Sequence, residues 1–153
     1  MAEENRIEGQ QMQDRLRQLA SRWSQGKVTL KQIVGLHDTE LFAIASQGYL
    51  LFLQGKTESA QVIFEGLVAI DPRNAYYYRA LGAIYWRLKQ PKRAVKQFTY
   101  AIRVAPRDIS SYINRAEVYV AARNFPDALS DLRRFACSTP RPRIRPSSTR
   151  RGR

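Results

Sequence analysis

The chain has 153 residues, 44% of them hydrophobic, and a formal net charge of +13, enough for one domain with a modest core. No apolar run approaches the roughly 20 residues that span a bilayer. The polar opening MAEENRIEGQ does not read as a secretory signal, and the single cysteine, Cys137, excludes an internal disulfide and fits a reducing compartment, so a cytoplasmic protein is expected. The charge is unevenly spread. Eight arginines and no acid follow Asp131, whereas residues 1–132 carry 18 basic and 13 acidic residues, a balance of +5.

Residues 1–9 are polar and read as disordered. From Gln10 to Trp23, Met12, Leu16, Leu19 and Trp23 recur at helical spacing and form one amphipathic stripe. Gly26 interrupts it, Thr29 is placed to cap a short helix carrying Leu30, Ile33 and Val34, and Gly35 ends that helix. His37, Asp38 and Thr39 make a polar link, with Asp38 or Thr39 available to cap the next helix. Residues 10–40 therefore read as a helical extension.

A repeat of 34 residues follows, in register at 41–74, 75–108 and 109–142, and the three-repeat domain is expected over 41–137, the third copy running into the tail. Small residues recur at Gly48, Gly82 and Ala116 and again at Ala60, Ala94 and Ala128, where two helices must approach closely. Leu51, Tyr85 and Tyr119 supply bulk facing them, and Phe64, Phe98 and Leu132 are placed to wedge between one copy and the next. Pro72, Pro106 and Pro140 stop the second helices, and Asn74 and Asp108 suit the N-caps of the following ones. Five matching columns in one register have the pattern of the tetratricopeptide repeat. The third copy departs from it, with Arg115 at the place of Leu81 and Phe135 at the place of Ala101. The fold expected is an all-α helical solenoid. From Ser138 onward, STPRPRIRPSSTRRGR has one aliphatic residue and reads as a disordered tail over 138–153.

In such a solenoid the first helix of each pair lines the concave side. That places Phe42, Ala45, Tyr49 and Phe52, then Tyr76, Arg79, Ala83 and Trp86, then Ile113, Glu117 and Val120 toward a groove. Tyr78, Leu81 and Tyr85 are assigned to the core, leaving Tyr76 and Trp86 for an extended apolar peptide. The alternative is that these aromatics pack on neighbouring helices. Lys92, Arg93, Lys96 and Arg103 are expected on the convex, solvated side. The tail's arginines could contact nucleic acid or anionic lipid, but its prolines and lack of aromatic residues make such contact non-specific, and a nucleic-acid partner is not expected. His37 is the only histidine, and neither a metal-ligand spacing nor a glycine-rich phosphate loop is present. No enzyme activity, metal, cofactor or small-molecule substrate is expected.

The lead-in to the repeats is more specific than the repeats. Thr29-Leu30-Lys31, the acidic link Asp38 to Glu40, Phe52 to Lys56, Ala60 with Phe64 and Leu67, Asp71-Pro72 and Gly82-Ala83 follow one another in an order that resembles the class II chaperones of type III secretion systems, the LcrH/SycD type. The likeness covers about residues 10–137 and is most specific over 27–100. It implies a cytoplasmic chaperone that keeps hydrophobic translocator proteins soluble before secretion, with an extended client segment in the concave groove. By alignment it assigns groove positions to Ala45, Tyr49, Phe52, Leu67 and Tyr100. It also implies a homodimer through the N-terminal helices, with Met12, Leu16, Leu19 and Trp23 as the candidate interface. Ala45 and Thr57 stand where the family often has aromatics, and the basic balance departs from a family that is usually acidic.

Overall fold

The computed structural model describes residues 14–138 apart from 16. Helix α1 covers the described residues of 14–24. It is followed by α2 (Leu30–Val34), α3 (Asp38–Leu53), α4 (Thr57–Ile70), α5 (Ala75–Arg87), α6 (Pro91–Val104), α7 (Ile109–Ala121) and α8 (Phe125–Ser138). No strand occurs among the described residues. Met12, Leu16, Pro140 and residues 1–9 and 139–153 lie outside them, while Ser138, expected to open the disordered tail, is the last residue of α8.

Local chemistry sets most boundaries. Thr29 and Gln32 cap α2 reciprocally, the backbone N–H of Thr29 reaching Gln32 Oε1 at 3.0 Å and that of Gln32 reaching Thr29 Oγ1 at 3.4 Å. Gly35 ends α2 at φ 74°, in the left-handed region. The N-cap of α3 is His37, not Asp38 or Thr39. Its backbone N–H donates to Glu40 Oε2 at 2.8 Å, so the helix starts one residue earlier than side-chain capping by Asp38 would allow. Asn74 caps α5 by accepting from the N–H of Tyr76 at 3.1 Å. Asp108 occupies the N-cap of α7, but its carboxylate takes Arg79 Nη1 at 2.7 Å and the Ser111 hydroxyl at 2.5 Å instead of the backbone.

Helices pack in sequential pairs, α3 with α4, α5 with α6 and α7 with α8, and each pair stacks on the next through α4 against α5 and α6 against α7. The first helices also touch one another, α3 with α5 and α5 with α7, which forms the concave side. This is the tetratricopeptide-repeat solenoid. Lys31 fastens α2 to it by pairing with Asp38 and, at 3.5 Å, with the buried Asp71.

The core runs through Leu41, Phe64, Leu67, Leu81, Ile84 and Phe98. Two assignments change. Tyr77 and Ile84 are buried in the core while Tyr78 is only half-buried, its ring tilted against Tyr100 with centroids 5.6 Å apart. The cause is helix phase, since Tyr77, Leu81 and Ile84 at i, i+4 and i+7 form the stripe that faces inward. Leu132 is 41% exposed, with no following copy among the described residues to wedge against, whereas Phe64 and Phe98 are 1% exposed between stacked pairs. Arg115, at the place of Leu81, makes a two-pronged pair with the buried Asp131, with Nε to Oδ2 at 2.8 Å and Nη2 to Oδ1 at 2.6 Å.

Candidate peptide-binding groove

Two adjoining clefts open between α3 and α5. The first is lined by Tyr49, Phe52, Tyr76, Ala80, Ala83 and Ile84, with Phe64 in its wall and Arg79 and Asn114 as its polar members; its volume is about 150 Å³. The second is lined by Phe42, Ala45, Tyr76 and Tyr77, with Asp38 and Asn74. Tyr76 belongs to both and forms the partition. Its ring meets Phe64 edge-on at 6.1 Å and Tyr77 at 5.9 Å, and the Arg79 guanidinium lies 5.7 Å from its centroid. Burial pushes the Tyr76 hydroxyl upward in pKa, against a smaller opposing effect of Arg79.

The clefts follow from residue size at the concave positions. α5 places alanines at 80 and 83 where an ordinary helix would project long side chains, and α3 flanks the gap with aromatics. Arg79 is held at the rim by Asp108, so its charge is already paired. Arg87 lies with its guanidinium 4.7 Å from the Phe52 ring centroid and donates to the Phe52 carbonyl at 3.2 Å, tying the end of α3 to the end of α5. Such a surface can take apolar side chains of an extended chain. Among the described residues no group of three or more His, Cys, Asp or Glu could hold a metal ion, and no helix is long and apolar enough to cross a membrane.

Of the residues expected in a groove, Phe42, Ala45, Tyr49, Phe52, Tyr76, Arg79 and Ala83 come together in these clefts. Phe42 is 72% exposed and Tyr49 48% exposed, large apolar surface that the described residues leave open. Leu67, Trp86 and Tyr100 line neither cleft. Leu67 is fully buried in the core, and Trp86 is half-buried against it. Tyr100 sits on α6, beside Tyr78 and beneath Lys96 and Arg103. Ile113, Glu117 and Val120 are exposed on α7 outside both clefts. Within the expected interface stripe, Trp23 is exposed and Leu19 half-buried. Not anticipated were Asp38, Asn74, Ala80 and Asn114. Ala80 was legible, three residues before Ala83 and one turn after Tyr76; Asn114 reaches the site only because α7 packs on α5.

The class this geometry defines is an all-α tetratricopeptide-repeat protein with an apolar concave cleft. No family model matches the chain, and no curated protein does. Among solved structures it is similar to type III secretion translocator chaperones. PcrH in complex with the chaperone binding region of PopB is 25% identical, with a TM-score of 0.63, over 69% of this chain and 88% of that one. The translocator chaperone SycD of Yersinia enterocolitica is 19% identical, with a TM-score of 0.69, over 74% and 87%. The fold is also shared outside secretion. The first TPR of Spaghetti (RPAP3), bound to an HSP90 peptide, is 21% identical, with a TM-score of 0.61, over 64% and 78%. The chain spans 62% of the matched chain in a CopN-Scc3 complex.

Proposed function

We propose that this protein is a cytoplasmic chaperone of type III secretion translocator proteins. It binds an extended apolar segment of the client along the two clefts and keeps the client soluble before secretion, without catalysing a reaction. The observation that carries this reading is the partitioned apolar cleft around Tyr76, on a scaffold similar to PcrH, whose complex holds a chaperone binding region of PopB. The energetic argument is that client side chains buried against Phe42, Tyr49 and Tyr76 leave water here instead of in another client molecule. In this reading the helical stripe at Met12, Leu16, Leu19 and Trp23 pairs two copies into a homodimer.

Co-expression with a translocator, followed by a count of client in the soluble fraction, tests the proposal. Client recovered in solution as a complex is the expected result. Client that remains insoluble with this protein in excess overturns it. The likeness to a Spaghetti repeat domain favours a second reading, a peptide adaptor unrelated to secretion. That reading predicts binding to a soluble protein's segment and no effect on translocator solubility.

A further inference from the structure

The 36 residues from Pro72 to Arg107 contain nine lysines and arginines and no acid. All but Arg79 are exposed, and Arg73, Arg87 and Arg93 each donate to a neighbouring oxygen. The other five, Lys89, Lys92, Lys96, Arg103 and Arg107, make neither an ion pair nor a side-chain hydrogen bond among the described residues. Lys92, Lys96 and Arg103 fall within about 40° of one another around α6, one straight row at i, i+4 and i+11, with Lys89 before the helix and Arg107 after it. None of the five lines either cleft. The other copies do not share the row: the places of Lys92, Lys96 and Arg103 hold Glu58, Val62 and Ala69 in the first and Pro126, Ser130 and Cys137 in the third.

One member of the row, Lys92, is also placed against helix stability, whereas Arg103 lies in the last turn, where the dipole favours a cation. Lys92 and Arg93 occupy the first turn of α6, where the helix dipole favours acids, while α4 and α8 carry Glu58 and Asp127 there. A merely soluble surface is served by mixed charge. Uniform charge whose members repel one another, in a row that neither other copy repeats, marks a site answering to a partner.

We infer that the α6 face is a docking surface for an anionic phospholipid bilayer, which leaves the concave clefts pointing elsewhere and free. Charge complementarity carries the choice of partner. Three of the five cations are lysines, flexible point charges without the fork that defines pairing to a particular acidic protein. Single-stranded nucleic acid needs open aromatic faces, but Tyr78 and Tyr100 pack on each other, and Lys96 and Arg103 cover the Tyr100 ring. A lipid surface asks only for several cations in one row within a Debye length. The inference does not depend on what occupies the clefts.

The test is co-sedimentation of the full chain with vesicles of phosphatidylcholine alone or with a third phosphatidylglycerol, at about 50 mM and about 500 mM salt. Binding only to the anionic vesicles, lost at high salt, is expected. The variant Lys92→Gln/Lys96→Gln/Arg103→Gln, which keeps the terminal arginines, should bind about a hundredfold more weakly, with unchanged circular dichroism. Wild-type binding by that variant overturns the inference, because attraction would then reside in the tail. Tighter binding to an oligonucleotide at equal phosphate concentration overturns it in favour of nucleic acid, and equal binding to neutral vesicles overturns it as well.

Discussion

Gly82 faces Phe98 so closely that a methyl group on its Cα would lie 2.6 Å from Cε1 and 2.7 Å from Cδ1 of the ring. The same relation recurs one copy earlier, where a Cβ at Gly48 would meet Ile63 Cγ2 at 2.9 Å and Phe64 Cε2 at 3.0 Å. In the third copy the partner is Leu132 in place of a phenylalanine, and the small residue has grown to Ala116. Size at one position is thus matched to size sixteen residues later. Gly82→Ala should lower stability by about 1–3 kcal/mol, read from the urea midpoint, because overpacking outweighs the roughly 1 kcal/mol of helix propensity that alanine adds. Adding Phe98→Leu, the pairing of the third copy, should cost less than the sum of the two single changes. A stabilised Gly82→Ala protein would refute this account.

The pair of Arg115 with Asp131 explains why the third copy abandons the core leucine of the second. Side-chain exposure is 16% and 6%, and Arg115 Nη1 also donates to Thr99 Oγ1 at 2.9 Å. Arg115→Leu alone leaves a buried carboxylate unpaired and should cost about 3–5 kcal/mol. Arg115→Leu with Asp131→Gln installs the residues that Leu81 and Gln97 provide one copy earlier. That double variant should unfold within about 1 kcal/mol of the wild type, since exchanging a buried ion pair for packed neutral groups is often near-neutral. Equal losses in both variants would show that the ion pair is not the determinant.

The inter-helix turns place Gly55, Lys89 and Arg123, each 34 residues from the next, at φ of 80°, 59° and 58°. Left-handed backbone costs an L-residue roughly 1–2 kcal/mol. Lys89→Gly should therefore raise stability by about 0.5–1 kcal/mol, after the extra entropy that glycine loses on folding. Gly55→Ala should lower it by about 1 kcal/mol although no atom lies within 4 Å of the added Cβ, the cost being backbone conformation alone. Thermal melts of both variants check the two signs, and a destabilised Lys89→Gly protein would contradict the argument.

Acid stability should depend on Glu65. The Tyr85 hydroxyl donates to it at 2.5 Å and Gln61 Nε2 at 2.9 Å, and these bonds hold its carboxyl below the usual carboxylate range. A folded value below the unfolded one means stability that is complete above the unfolded value, about 4.3, and lost as pH falls through the folded one. The urea midpoint of the wild type should drop more steeply below about pH 4 than that of Glu65→Gln. Tyr85 works at the other end of the scale. Burial, then the bond to Glu65, pushes its hydroxyl upward, so that contribution is whole below about pH 10 and is lost as pH rises through the folded value. Parallel acid curves for the two proteins would exclude Glu65 as the titrating group.

The repeat register was legible in the chain because close helix contacts demand small residues, and small residues at a period of 34 are visible as letters. Helix phase was less legible. Tyr76, Tyr77 and Tyr78 are chemically identical, and only the neighbours that α4 and α6 bring up decide that Tyr77 is buried, Tyr78 meets Tyr100 and Tyr76 faces the clefts. Leu67 fits an apolar groove in composition, but its place on α4 puts it in the core beneath the site. Asn114 could not have been found without the contact of α7 with α5.

Tyr76 is the residue through which the proposed client site is best tested, because it forms the wall between the clefts while remaining 38% exposed. Tyr76→Ala merges the clefts and removes the edge contact with Phe64, and should weaken a fluorescein-labelled translocator segment by about 10- to 100-fold, the range for a central aromatic anchor. Tyr49→Ala with Phe52→Ala should weaken it comparably while the helical circular dichroism is kept. Leu67→Ala is the control for damage to the core: it should cost about 2–5 kcal/mol of stability but leave affinity within about threefold wherever the protein is folded, since Leu67 lines neither cleft. Affinity that follows stability across the three variants would place the binding site elsewhere. Affinity lost in the two cleft variants and kept in Leu67→Ala would locate the client between α3 and α5.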